Sequence, residues 1–154
     1  MSHPRVELIE YGIFEVRSVK KILSELSLIG HEFVDAELKL LRGTDKIPLD
    51  AGLCFGIKYS LSQFAGSYFT CRLLHPEVEN SDRLGFTQTL VEKEVNSAGV
   101  YNDFVIFEFN WQMIPGYWTF QIFDGDHVLF EKEFEVFVEN SVEEEKDEDY
   151  FYDL

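Results

Sequence analysis

The feature that most constrains the fold is a stretch of alternating apolar residues near the C-terminus, residues 111–138. Trp118, Phe120 and Ile122 alternate with more polar neighbours, and successive side chains of a strand point to opposite faces. Asp124-Gly125 then offers a residue pair that accepts positive φ angles, which a two-residue hairpin turn needs. The stretch therefore predicts a β-hairpin that follows a turn at Pro115-Gly116 and buries one aromatic face.

The return strand of this hairpin changes its periodicity part-way along. Leu129 is odd-numbered, whereas the later apolar residues Phe134 and Val136 are even-numbered and alternate with glutamates. Leu129 and Phe134 can share a face only if the strand contains one additional residue between them. We therefore predict a β-bulge between Leu129 and Phe134, near Phe130 to Glu133.

Earlier segments of the chain carry the same kind of signal. The further predicted strands are Val6–Arg17, Phe33–Arg42, Ala51–Ser62, Tyr68–Leu74, Phe86–Val95 and Tyr101–Met113. Residues 18–30 are ambiguous, and the spacing of Val19, Ile22, Leu23 and Leu26 predicts a helical turn or two. About eight strands without long helices indicate one antiparallel β-sandwich domain, which we place at residues 1–138.

The alternation also predicts which side chains form the core. Five apolar residues should lie in one core between two sheets: Phe55, Ile57, Phe107, Trp118 and Phe120. Trp111 and Trp118 are expected in this core rather than as exposed ligand platforms. Tyr101 follows a turn and has the placement of a tyrosine corner, in which the hydroxyl group bonds to upstream backbone.

The chain is strongly acidic, with a formal net charge of −16. Residues 139–154 hold eight carboxylates and one lysine, and we expect this acidic C-terminal tail to be disordered in isolation. The charge repels phosphate backbones, and no apolar run approaches the ~20 residues of a membrane span, so neither nucleic acid nor membrane is an expected partner. Four tail residues are candidate contacts with a partner protein or a second copy: Tyr150, Phe151, Tyr152 and Leu154.

The sequence carries no strong motif for catalysis, a cofactor or a metal. His31-Glu32-Phe33-Val34-Asp35 nearly matches the HExxH zinc motif, but Asp35 replaces the second histidine and the pattern is that of a strand. Asp124-Gly125-Asp126-His127 offers too few oxygens for a calcium loop, which needs about six, and a hairpin turn explains the same residues. We therefore predict no catalytic, cofactor-binding or metal-binding residue.

Two cysteines, Cys54 and Cys71, lie on successive predicted strands and lack the CxxC spacing of a zinc site. The N-terminus lacks the charged-then-apolar pattern of a signal peptide. We expect a cytoplasmic protein in which both thiols are free. In an oxidising compartment, the same two cysteines could form a disulfide bond.

Four motifs together carry a resemblance to a known family. They are Glu10-Tyr11-Gly12-Ile13, Ile47-Pro48 with Gly52 and Phe55-Gly56-Ile57, His75-Pro76, and Trp111 to Phe120 with Phe134-Glu135-Val136. The chain resembles the bacterial domain-of-unknown-function family 3859 over about residues 6–138. The resemblance implies an immunoglobulin-like β-sandwich and brings no established activity, substrate or catalytic residue. The chain departs from it at Lys20-Lys21-Ile22-Leu23, where the family leads us to expect a more polar loop.

These observations favour a non-enzymatic binding or protein-interaction module. A sandwich of this size presents loops and edge strands, which engage an unidentified protein partner or a second copy in a homodimer. The alternative is a small hydrolase or ligand-binding enzyme whose carboxylates converge across strands. A deep polar pocket with such carboxylates would favour the alternative, and a filled core with shallow grooves would favour the module.

Overall fold

The computed structural model describes residues 4–25, 29–62, 67–78, 87–96 and 98–139. Within these residues there are nine strands, one more than predicted. They are β1 (Arg5–Leu23), β2 (His31–Arg42), β3 (Lys46–Pro48), β4 (Cys54–Ser62), β5 (Tyr68–Leu74), β6 (Gln88–Glu94), β7 (Val100–Ile106), β8 (Gly116–Asp124) and β9 (His127–Phe137). In the described part of the chain, no helix is long and apolar enough to cross a membrane.

The strands form two sheets that face each other, so the predicted β-sandwich is confirmed. One sheet has the order β2-β1-β4-β7, and the other has the order β3-β9-β8-β5-β6. All pairs are antiparallel except β3 with β9. The predicted tail at residues 139–154 lies outside the described residues apart from Glu139, and its boundary after Val138 stays a prediction.

An aromatic cluster fills the space between the sheets. The ring of Phe55 lies 5.5 Å from that of Phe107, 6.1 Å from those of Trp118 and Phe120, and 5.3 Å from that of Phe134. Most of these contacts are edge-on, which is a favoured arrangement of aromatic pairs. All five predicted core residues are buried in this one cluster, as the alternation predicts.

The hairpin of β8 and β9 is present, but its turn and its bulge are each displaced from the predicted place. The turn residues are Gly125 and Asp126, because Asp124 already pairs with His127. The register shifts where Ile122 pairs with Phe130 and Phe123 pairs with Val128, so the additional residue is Leu129 itself. Pairing is regular from Phe130 onwards, and the bulge predicted near Phe130 to Glu133 was therefore placed too late.

The helical turn predicted in residues 18–30 was wrong. β1 continues to Leu23 and pairs with β2, with Lys21 opposite Phe33 and Leu23 opposite His31. Leu23 is 93% exposed, so the apolar residues at helical spacing do not mark a buried helix face. Strand pairing satisfies the backbone of this segment instead; residues 26–28 lie outside the described part.

β1 and β2 extend beyond the rest of their sheet as a two-stranded arm, which we define as Val16–Leu23 and His31–Leu38. β4 pairs with β1 only from Arg5 to Phe14, so the arm has no third strand. Its register shifts on both sides of Ser18, and such irregularities bend a strand pair.

The strand predicted over Tyr101–Met113 ends at Ile106, and a short 3₁₀ helix follows at Asn110–Gln112. The buried Gln112 side chain explains the change. Its Oε1 accepts from the backbone N–H groups of Glu108 and Phe109 at 2.9 and 3.0 Å, and its Nε2 donates to the Ile106 carbonyl at 3.1 Å. The side chain thus satisfies backbone groups that a strand partner would otherwise bind.

The predicted tyrosine corner is confirmed. The hydroxyl oxygen of Tyr101 accepts a hydrogen bond of 2.9 Å from the backbone N–H of Asn96, five residues upstream. This contact anchors the turn between β6 and β7, which is the side of the sandwich where both strands are at the edge of their sheets.

Candidate functional site

A cleft of about 600 Å³ opens between the two sheets where β6 and β7 are edge strands. The arm forms its third wall, because the first half of β2 lies alongside. We call it the side cleft. Its lining includes His31–Ala36 of β2, Val91–Glu94 of β6, Val100–Ile106 of β7, and Leu73, Gln112 and Trp118.

Contacts with the end of β7 hold the arm in place. The ring of Phe33 stacks on that of Phe104 at 5.9 Å. Glu108 forms an ion pair with Lys21 at 2.9 Å, and its other oxygen lies 3.2 Å from Nε2 of His31. The His31 contact is close but lacks hydrogen-bond geometry, so its buried Nε2 has no aligned partner in the described residues. Packing and charge together therefore fix the third wall of the cleft.

An ion pair joins the two sheets across the side cleft. Lys93 of β6 donates to Oδ1 of Asp103 at 2.5 Å and to the carbonyl oxygen of Asn102 at 2.8 Å, both on β7. The side chains of Lys93 and Asp103 are 22% and 10% exposed. Burial opposes the charge of Lys93, but the Asp103 carboxylate outweighs it, and the pKa of Lys93 is raised. The lysine therefore stays a charged ammonium near neutral pH.

A phenol and a thiol lie behind this ion pair. The hydroxyl group of Tyr59 is 3.3 Å from the sulfur of Cys71, and the ammonium group of Lys93 lies 5.9 Å from the centre of the Tyr59 ring. Burial, reinforced by the negative charge of Asp103, raises the pKa of both Tyr59 and Cys71. Oδ2 of Asp103 is buried and has no well-aligned hydrogen bond in the described residues. The cluster is consequently one ion pair backed by two neutral groups.

Both cysteines are free and buried in the structure. Burial raises the pKa of Cys54 to about 12, and the pKa of Cys71 is raised as well. Each folded-state pKa lies above the ordinary value of about 8.5, so both groups remain thiols at pH 8, where an unfolded chain begins to ionise.

We expect neither thiol to react readily with a disulfide reagent at pH 8 in the folded protein. Because the thiolate is the reactive form, Cys54 should react roughly a thousandfold more slowly than a free cysteine. Absorbance of the released thiol reports the rate, and the same protein in denaturant should show two fast groups. Fast labelling of the folded chain would contradict the burial of these strands.

The residues that the sequence singles out fall into three groups. Tyr150, Phe151, Tyr152 and Leu154 lie outside the described residues. His31 to Asp35 lie on a strand, as predicted, and Asp124 to His127 form the hairpin end. Among the residues that the structure describes, no group of three histidine, cysteine or acidic residues is placed to hold a metal ion.

The two tryptophans differ in their surroundings. Trp118 is fully buried and donates from Nε1 to the carbonyl oxygen of Ile114 at 3.1 Å, as expected of a core residue. Trp111 is partly buried against the core cluster and stacks on the Phe109 ring at 5.5 Å. Neither ring stands free as a ligand platform.

Sequence reasoning missed Lys93 and Asp103, although the sequence contains a signal for them. Each occupies an inward position in the alternation of its strand, Lys93 between Val91 and Val95 and Asp103 between Tyr101 and Val105. Opposite charges at inward positions of two consecutive strands predict an ion pair between them. The cleft beside the pair has no comparable signal.

Two of the family motifs meet beside the core. His75 packs on Trp118 with ring centres 5.2 Å apart, and its Nδ1 donates to the carbonyl oxygen of Pro76 at 2.9 Å. A side chain at Gly116 would crowd Pro76, since an added Cβ would lie 2.9 Å from its Cγ. Burial lowers the pKa of His75, so its ring is neutral at pH 7. His75-Pro76 and Pro115-Gly116-Tyr117-Trp118 are therefore parts of one packed unit.

Comparison with known proteins now identifies the family. The family model for a domain of unknown function (DUF3859) matches residues 2–136. The chain belongs to this family. The crystal structure of an immunoglobulin-like protein from Pseudomonas aeruginosa is similar to this DUF3859 chain, with 26% identity and a TM-score of 0.63 over 88% of this chain and 97% of that one. The comparison with curated proteins gave no match. The immunoglobulin-like sandwich expected from the resemblance is thus confirmed.

Proposed function

We propose that this domain is a non-enzymatic binding module and that its protein partner docks in the side cleft. The observation that carries the proposal is the opening between β6 and β7, whose volume of about 600 Å³ falls in the range of binding sites. Phe33, Val91 and Phe104 line it together with the charged Lys93 and Asp103. Apolar side chains supply buried area at a binding site, and charged groups beside them orient a partner side chain.

The chemistry of the cleft favours binding over catalysis. Asp103 accepts a hydrogen bond from Lys93. The raised pKa of Lys93 keeps the lysine protonated, so the lysine is unsuited to act as a base or a nucleophile. Burial likewise keeps Tyr59 and Cys71 neutral. A hydrolase needs carboxylates that converge on its substrate, whereas Asp103 faces inward and Glu92 and Glu94 lie on the outer face of β6.

The proposal extends to the compartment and to the kind of partner. Two free, buried thiols suit a reducing compartment such as the cytoplasm. The net charge of −16, with Glu32, Asp35, Glu92 and Glu94 around the cleft, favours a protein partner over nucleic acid or an anionic membrane surface.

Photo-crosslinking at matched positions tests the proposal. Benzoylphenylalanine introduced at Glu94, at the rim of the cleft, should capture a specific protein in the native cell. The same residue at Glu133, an exposed glutamate on the outer face of β9, is the control and should not. Val91→Phe, which narrows the cleft, should remove the crosslink from Glu94. Capture from Glu133 alone, or capture that Val91→Phe leaves unchanged, would contradict docking in the cleft.

A further inference from the structure

The outer edge of β6 is an unpaired strand edge that borders the side cleft. The N–H of Val95 donates to the carbonyl of Ser67, so the odd-numbered residues of β6 are those that exchange hydrogen bonds with β5. The even-numbered residues Leu90, Glu92 and Glu94 therefore direct their N–H and C=O groups away from the sheet. Within the described residues, no strand pairs with that edge.

The other described edges are less suited to receive a strand. On β7, the outward carbonyls of Asn102 and Ile106 already accept hydrogen bonds from Lys93 and Gln112. β2 has an irregular register and a positive φ of 53° at Asp35, so it is kinked. β3 is three residues long, and the edge of β9 that it leaves uncovered carries the bulge at Leu129. Proteins limit strand pairing with blocked, kinked, short or charged edges. β6 is not blocked, kinked or short, and its charges, Glu92 and Glu94 with the inward Lys93, restrict which segment can pair with it.

We propose that β6 accepts an extended basic segment of a partner protein as an added strand, with alternate side chains of that segment in the side cleft. This rests on the proposed function and adds the chemistry of the partner. In strand addition, main-chain hydrogen bonds supply affinity, and pockets for alternate side chains supply specificity. The edge of β6 and the side cleft offer both at one place.

Charge and periodicity define the segment. Glu92 and Glu94 are exposed and lie on the outer face of β6, opposite to the inward Val91 and Lys93. Side chains of an added strand would lie next to those of β6 on each face. Basic residues beside the two glutamates, and apolar residues beside Val91, make the matching sequence an alternation of basic and apolar residues.

A second copy of this chain is a poorer occupant of the same edge. Two-fold pairing of β6 with itself would place Glu92 and Glu94 of both copies on one face of a continuous sheet. Like charges at neighbouring positions of paired strands are destabilising, and the net charge of −16 adds to the repulsion. A basic partner removes both penalties.

The test uses the peptide KVKVKVK and amide hydrogen exchange measured by NMR. The peptide should slow exchange at Leu90, Glu92 and Glu94 by at least about tenfold, since these amides gain hydrogen-bond partners. Two matched peptides carry N-methyl groups on all lysines or on all valines. An added strand uses only one of its own edges, so one N-methylated peptide should lose binding and the other should keep it. The acidic peptide EVEVEVE should not bind.

Protein variants test the same contacts from the other side. Leu90→Pro removes an outward N–H without breaking a bond to β5 and should abolish protection, whereas Leu90→Ala should keep it. The double variant Glu92→Gln with Glu94→Gln should weaken binding roughly threefold to tenfold at low salt, and Glu133→Gln should not. Thermal unfolding of each variant shows that the domain is folded, and a folded Leu90→Pro that still binds the peptide would count against the proposal.

Four further outcomes would overturn the inference. The first is slow exchange of the three amides in the free protein. The second is equal binding of KVKVKVK and EVEVEVE, and the third is equal binding of both N-methylated peptides. The fourth is protection that grows with protein concentration alone, which light scattering would assign to a second copy. If crosslinking from Glu94 succeeds but no peptide binds, the proposed binding module is supported and the proposed basic strand is wrong. If both fail, the proposed function falls as well.

Discussion

Replacement of Gly12 by alanine should lower the free energy of unfolding by more than about 4 kcal/mol, a loss seen only for severe steric or packing faults. Gly12 has a φ of +136°, which side-chain-bearing residues rarely adopt. An added Cβ would also overlap the carbonyl oxygen of Arg42 at the end of β2. That oxygen belongs to the backbone, and Arg42 pairs with Ile13, so it cannot move without disturbing the β1–β2 pairing.

Gly52→Ala is the matched control for this effect. Gly52 also has a positive φ, +84°, but an added Cβ there would meet no atom within 4 Å. Only the backbone strain remains, and the expected loss is about 1–2 kcal/mol. Urea unfolding of both variants separates strain from overlap. Equal losses would mean that β1 and the end of β2 do not approach as closely as described.

Replacement of Phe120 by alanine should cost about 3–5 kcal/mol, the range for a buried aromatic residue. Its side chain is 3% exposed and lies between the rings of Phe55 and Phe134, at 6.1 and 5.7 Å. Removal of the ring leaves a cavity between the sheets, because neighbouring strands on both sides hold these rings apart. Chemical denaturation monitored by tryptophan fluorescence measures the loss.

Tyr117→Ala on the same strand provides the comparison. Tyr117 faces solvent and is 58% exposed, so its loss should stay below about 1 kcal/mol. A cost for Phe120→Ala below about 1 kcal/mol would show that the two faces of β8 are assigned the wrong way round.

The core could be predicted because period-two alternation is a direct consequence of strand geometry. Phe55 and Ile57, like Trp118 and Phe120, are two apart on one strand, and burial of one member implies burial of the other. β3 escaped prediction because three residues carry no periodicity, and its partner β9 is remote in sequence. The helical turn predicted around Val19 to Leu23 was wrong for another reason. Helical spacing of apolar residues indicates only a local preference, and strand pairing with β2 overrides that preference.

The candidate site was less predictable than the core. The inward positions of Lys93 and Asp103 are visible in the sequence, and with them an ion pair between β6 and β7. The volume of the side cleft is not visible in the sequence, because it depends on the separation of the two sheets and on how the arm bends around Ser18. Those quantities follow from many weak contacts between residues distant in sequence, among them the stacking of Phe33 on Phe104.

The parallel pairing of β3 with β9 has a consequence for biosynthesis. Ile47 is fully buried and pairs with Val136, and Lys46 bonds to Glu135, 89 residues further along the chain. A ribosome releases the first of these strands long before the second. Until β9 emerges, β3 has no neighbour in its sheet and Ile47 no complete core, since such distant contacts form late and slowly. The nascent chain must therefore carry incompletely covered apolar strands while the residues between Lys46 and Glu135 are made, and such surface is what chaperones bind.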